Sequence, residues 1–197
     1  MGVNVNHEYI ASATKAAKQA GLTNVSFHIG EISALATMPA NSSDIAHAYQ
    51  VLLHLITPLS ALKELHRLLR PGGFLAIRDT ADAFHVAERP TMTVYRETTV
   101  KLNPQLLQAR RTTQVWVHEA GFPLDRIQAG CAGWGFSGRE GRRMWAGGMV
   151  ESARRYGPMM GFEDETFFDL SERKFGEWAE DERARYMAMD GWVVAEK

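Results

Sequence analysis

Cysteine is almost missing from this chain: Cys131 is the only one in 197 residues. A lone thiol cannot close an internal disulfide, which excludes a disulfide-stapled secreted scaffold and suits a reducing, cytoplasmic setting. Cys131 is then expected to act as a small buried apolar residue. Long apolar runs are missing as well. A membrane span needs roughly 18 consecutive apolar residues, and the best stretch, residues 46–55, already holds His47, Gln50 and His54. The opening Met-Gly-Val-Asn-Val-Asn-His has neither the basic nor the apolar region of a secretory signal. Neither sign of charge dominates. Residues 1–100 hold 8 Lys/Arg against 8 Asp/Glu, and residues 101–197 hold 14 against 15. No half has the basic footprint that a nucleic-acid partner requires. What remains is a chain 45% hydrophobic and 23% charged, which excludes a disordered or collagen-like polymer. Its length fits one domain, or one domain with a small appendage.

The first half alternates short apolar runs with helical spacing, the pattern of βαβ units around a parallel sheet. Residues 2–5 read as the tail of a strand. Ile10, Ala13, Ala17 and Ala20 give residues 7–21 a helical period, ended by Gly21. Residues 25–29 alternate as a strand does, and residues 44–52 read as a mostly apolar buried strand. Residues 58–69 form an amphipathic helix with Leu59, Leu62, Leu65, Leu68 and Leu69 on its core face. Pro71-Gly72-Gly73 then breaks the pattern, and residues 74–77 begin another strand. Further on, residues 104–120 read as a helix closed by Gly121, residues 127–134 as a strand, and residues 191–196 as a short final strand. Residues 139–155 carry Arg139, Arg142, Arg143, Arg154 and Arg155, whereas residues 163–182 carry nine acids. Two helices of opposite sign either lie against each other or present separate solvated faces.

Three segments carry a family likeness. They are Gly2-Val3-Asn4-Val5-Asn6, Asn24-Val25-Ser26-Phe27-His28-Ile29-Gly30-Glu31, and Leu65-His66-Arg67-Leu68-Leu69-Arg70-Pro71-Gly72-Gly73. In this order the chain resembles class I S-adenosyl-L-methionine (SAM) dependent methyltransferases. Its likeness is to the methyltransferase-11/25 type, relatives of the quinone-biosynthesis C-methyltransferases. The resemblance implies an α/β, Rossmann-like sheet, N-terminally truncated, with a helical cap in the C-terminal half. Residues 1–135 would form the partial SAM-binding domain, 136–190 the cap, and 191–197 a strand returning to the sheet. It implies Asn4 and Val5 at the ribose, Gly30, Glu31 and Ile32 around the adenine, and Ala48, Tyr49 and Gln50 facing the methionine part. The family's usual acid at the ribose position is here Asn4, which accepts through one oxygen only.

His54 lies just beyond, where it can serve as a general base on an acidic acceptor or simply shape the pocket at a helix start. Trp116, Trp134, Phe136, Trp145, Phe162, Phe167, Phe168 and Trp178 can line a cap over a flat apolar acceptor, although core packing suits most of them. Met144, Met149, Met159, Met160, Met187 and Met189 would fill gaps or form an adaptable lid. No metal ligand set is expected.

The family's first strand and its D-x-G-x-G-x-G loop are not found, so the chain opens at what the resemblance makes strand 2. In the family order 3-2-1-4-5-7-6 this leaves strands 2 and 4 separated by about 9–10 Å. The gap would stay open in a fragment, close by direct pairing of those strands, or take a strand from a partner. Two functions follow. One is methyl transfer to a small molecule by aligned SN2 displacement, with no nucleic-acid or membrane partner and a homodimer left open. The other is a non-catalytic binding or dimerisation module.

Overall fold

Local side-chain chemistry starts the first helix. In the structure, a computed structural model that describes residues 1–87, 90, 92–93, 105–158, 161 and 164–197, strand β1 (Gly2–Asn4) runs into helix α1 (His7–Gln19). Asn6 Oδ1 accepts the N–H groups of Glu8 at 2.8 Å and Tyr9 at 3.4 Å, the bonds that a helix N-terminus otherwise lacks. Gly21 closes the segment in the left-handed region, at φ 67°. Strand β2 (Phe27–Ile29) then lies parallel to β1, with Asn4 opposite Ile29.

The rest of the chain forms β3 (Ser43–Tyr49), a single 3₁₀ turn (Leu52–His54), α2 (Pro58–Leu68), β4 (Leu69–Val86) and α3 (Gln105–Glu119). A second 3₁₀ turn (Leu124–Arg126), β5 (Ile127–Phe136), α4 (Arg139–Tyr156), α5 (Glu165–Glu180) and β6 (Arg185–Glu196) complete it. The larger sheet has the order β3-β4-β6-β5, with β3 parallel to β4 and β6 antiparallel to both its neighbours. Together with β2-β1, this reproduces the 3-2 and 4-5-7-6 parts of the order that the resemblance implied. Among the described residues no ladder joins the two sheets, so direct pairing of β1 with β3 is not the arrangement adopted.

One face of the larger sheet is packed. Ala48, Leu75, Ile77, Val193 and Ala195 meet Leu62 and Leu65 of α2, Val117 of α3, and Phe122 in a single core. The alternate residues stay open: Ile45 is 68% and Phe74 46% exposed. Near the far end the register of β4 slips between Thr80 and Asp82. Before the slip, Arg78 faces Trp192 and Thr80 faces Asp190; after it, Ala83 faces Ala188 and His85 faces Tyr186. The same face of β6 is thus matched by even residues of β4 below the bulge and odd ones above it. Above the bulge that face is covered by α4 and α5, and Ala83, Tyr186 and Ala188 join Ala146, Phe175 and Trp178 in a second core.

Several expectations are corrected in detail. Strand β4 begins at Leu69 and not at residue 74, because Gly73 tolerates a close backbone approach; a Cβ there would lie 2.9 Å from the Arg70 oxygen and 3.0 Å from the Asp44 oxygen. Leu69 therefore belongs to the strand, and Leu59 is only partly buried. Strand β3 ends at Tyr49, since Gln50 takes φ 53° and leaves the extended line. Strand β6 begins at Arg185, six residues before the expected start. Cys131 is exposed, not buried, because β5 is an edge strand with most of its residues open. The two charged helices do lie together: Arg139 and Arg143 pair with Glu180, and Arg154 pairs with Asp169 and Glu172.

Leu62, fully buried, and Ile45, 68% exposed, separate the two faces. Leu62→Ala is expected to cost about 2–5 kcal/mol in urea unfolding, and Ile45→Ala under about 1 kcal/mol. Equal losses would contradict the assignment of the packed face.

Candidate active site

In α/β sheets ligands gather beyond the carboxyl ends of parallel strands. The carboxyl ends of β1 and β2 lie side by side, and the Gly30 N–H donates to the Asn4 carbonyl at 3.1 Å. Gly30 permits a tight approach there, since a Cβ would come within 3.1 Å of Val3. Glu31 follows with an exposed carboxylate, one oxygen of which accepts the Ser33 hydroxyl. Val5 is exposed, and Ile32 packs against the main core. Asn4 Oδ1 accepts the Asn6 N–H at 2.8 Å, so its only side-chain acceptor is already engaged by the chain.

At the end of β3, Ala48 is buried in the core, which leaves its backbone to face any ligand. Tyr49 is half exposed, with the Arg78 guanidinium 5.8 Å from its ring centroid. The Gln50 side chain is held on both sides by Thr80: its Nε2 donates to the Thr80 hydroxyl at 2.7 Å, and its Oε1 accepts the Thr80 N–H at 3.2 Å. The Thr80 hydroxyl also donates to Asp190 at 3.1 Å, and Arg78 Nε donates to the same carboxylate at 2.7 Å. Asp190 is wholly buried. One network thus ties the end of β3 to the interior of β4 and β6.

His54 closes the 3₁₀ turn after β3. Its ring keeps an exposed side, yet the surrounding chain desolvates it and draws its pKa below the ordinary histidine value. Asp79 is buried below the same turn. Burial pushes its carboxyl up to about 6, and the nearby Asp190 charge adds to the rise. The backbone amides of Val51, Leu52 and Leu53 oppose that rise, though none reaches hydrogen-bonding geometry with the carboxylate oxygens.

Next to Tyr49 opens a cleft of about 420 Å³, walled by Trp134 and Phe136 of β5 and by Met144, Trp145 and Met149 of α4. Of the other expected cap residues, Trp178 and Phe168 are core, and Trp116 and Phe167 pack beside cores. Phe162, Met159 and Met160 lie outside the described residues, while Met187 and Met189 are exposed.

A sequence model of a family described as a methyltransferase domain matches residues 1–138. The chain belongs to that family. An uncharacterized methyltransferase from Schizosaccharomyces pombe is 27% identical over 217 aligned positions, spanning all of this chain and 75% of the yeast protein. Among solved structures, a methyltransferase from Bacillus halodurans superposes with a TM-score of 0.59 at 16% identity, covering 99% of this chain and 81% of the other. The Haemonchus contortus phosphoethanolamine N-methyltransferase 2, solved with S-adenosylhomocysteine, superposes at 0.53 with 12% identity. It is covered to 43% by this chain, which is covered entirely. These likenesses show a Rossmann-like class I methyltransferase fold, and family membership implies SAM as the cofactor. The donor set agrees with that cofactor at its nucleoside end. An adenosine offers hydroxyl and amino donors, and Glu31 offers an exposed acceptor-only carboxylate just past the end of β2.

Sequence reasoning missed Arg78, Asp79, Thr80 and Asp190. A signal existed, for Arg78-Asp79-Thr80 end the apolar run of residues 74–77, and Asp190 stands just before the apolar run of residues 192–195. The elevated Asp79 pKa gives a test. Its folded value of about 6 lies above its unfolded value, so the native state binds the extra proton and loses stability as pH rises through that window. Asp79→Asn should therefore gain on the parent between pH 4 and 7, by on the order of 2–3 kcal/mol. Urea unfolding at pH 4 and pH 7 checks this; a difference independent of pH would contradict it.

Proposed function

We propose that this methyltransferase transfers the methyl group of SAM to a small molecule, in a pocket formed by the carboxyl ends of β1, β2 and β3. The observation that supports this best is that Asn4 and Gly30-Glu31 stand at the carboxyl ends of β1 and β2, while Tyr49-Gln50 and the aromatic cleft stand at the carboxyl end of β3. In this reading Glu31 accepts from the adenine amino group, and Ile32 and Val5 border the nucleoside. Asn4 meets a ribose hydroxyl with the hydrogen-bonding capacity left to it. Ala48, through its backbone, together with Tyr49 and Gln50, borders the methionine part.

When bound, SAM supplies a methyl carbon already activated by a sulfonium. The chain then has little covalent work to do. Alignment of the acceptor atom behind that carbon and exclusion of water supply most of the rate. Thr80 and Asp190 hold Gln50 in one rotamer, so the wall behind the reacting carbon does not need to reorganise. His54 takes the proton released by an acidic acceptor. Its lowered pKa keeps the imidazole neutral near pH 7, the form that can accept one.

Calorimetric titration of the full chain with S-adenosylhomocysteine tests the reading, with micromolar affinity expected. Glu31→Ala should weaken that affinity about tenfold, and Asn4→Asp, which adds an acceptor oxygen, should strengthen it by a similar factor. No binding by a folded chain would leave the non-catalytic module as the better account. Unchanged affinity in Glu31→Ala would remove the adenine assignment.

A further inference from the structure

We infer that the cleft beside Tyr49 is the acceptor pocket and that it takes a planar aromatic compound, a reading that presupposes methyl transfer at the strand ends. At about 420 Å³ the cleft has the volume of a small-molecule site. Its walls are rings more than chains. Trp134 stands edge-on to Phe136 at 5.6 Å and to Trp145 at 6.3 Å, while Phe136 and Trp145 lie 6.1 Å apart with planes only 34° from parallel.

These rings are fixed from behind. Trp145 stacks on Tyr186 at 3.8 Å and donates its Nε1–H to His85 Nε2 at 3.1 Å. Preset aromatic walls favour a flat guest, which stacks without ordering a flexible tail, over a linear chain.

One further feature indicates a guest. Gly148 lines the same cleft in the middle of α4, where glycine weakens a helix, and nothing lies within 4 Å of the Cβ it lacks. The space is therefore open on the cleft side, not taken up by packing. Tyr49 is both a wall of this cleft and the last residue of β3, so a guest in the cleft adjoins the position proposed for the methionine part of SAM.

The test uses three probes on the full chain without cofactor, followed by ligand-observed NMR. Chromone is planar and carries a carbonyl, naphthalene is planar without one, and 1-decalone carries a carbonyl without an aromatic plane. Chromone should bind saturably, at least tenfold more tightly than 1-decalone. Trp134→Leu keeps apolar bulk and removes a ring wall; it should weaken chromone and naphthalene alike, two- to tenfold. Gly148→Leu, on an exposed side of the helix cleft, should abolish binding of both planar probes.

Equal affinity for chromone and 1-decalone, no saturable binding by the folded chain, or chromone binding unchanged in both variants would overturn the inference. Titration with S-adenosylhomocysteine separates the two layers. Nucleoside binding with no chromone binding overturns the acceptor class alone. Chromone binding with no nucleoside binding upholds the cleft and overturns methyl transfer.

Discussion

A carboxylate with no exposure to water must find its partners inside the fold, and Asp190 finds them on β4. Arg78 and the Thr80 hydroxyl both donate to it, and Thr80 in turn grips Gln50 at the end of β3. Removing one partner of such a group leaves a buried charge uncompensated, commonly at a cost of about 3–5 kcal/mol. The end of β3 therefore cannot shift independently of the interior of β4 and β6. Asp79 is next to Arg78 in sequence yet points to the other face, where burial, joined by the nearby Asp190 charge, raises its proton affinity against the opposing amides of the turn.

The sheet also explains which parts could be read from sequence. Helices α1 and α2 follow from period and punctuation: an Ile and Ala stripe with a Gly stop, and a leucine stripe under a starting proline. Their bounds came out within about two residues because those signals are local. Strand β6 did not, since Arg185 to Asp190 interleave charged, sulfur-bearing and small residues, and their strand character arises only from pairing with β4 and β5. Burial of Cys131 was a composition argument, and edge position overrode it.

Of the candidate site, positions could be read from the sequence and contacts across many residues could not. Asn4, Gly30, Glu31, Tyr49 and Gln50 stand at or just past strand ends, as the resemblance implied. The Asp190 network joins residues 110 and 112 positions apart, which no local pattern encodes. The charge complementarity of α4 and α5 occupies a middle ground. Opposite signs were plain in the sequence, but the choice between pairing and solvation depended on the hairpin bringing Arg139 to Glu180.

The slip in β4 decides which of its side chains the upper layer meets. Below it, Arg78 and Thr80 face the Asp190 network; above it, Ala83 and His85 share that face and meet the second core. Pairing straight through, with no residue bulged out between Thr80 and Asp82, would advance the register by one, set Asp82 and Phe84 against Ala188 and Tyr186, and carry Ala83 and His85 to the opposite face. A carboxylate would then stand where α4 and α5 now find a methyl group, while the Asp190 network below stayed in place. The one extra residue at this bend thus gives the helical layer an apolar floor on a strand whose polar network lies just below.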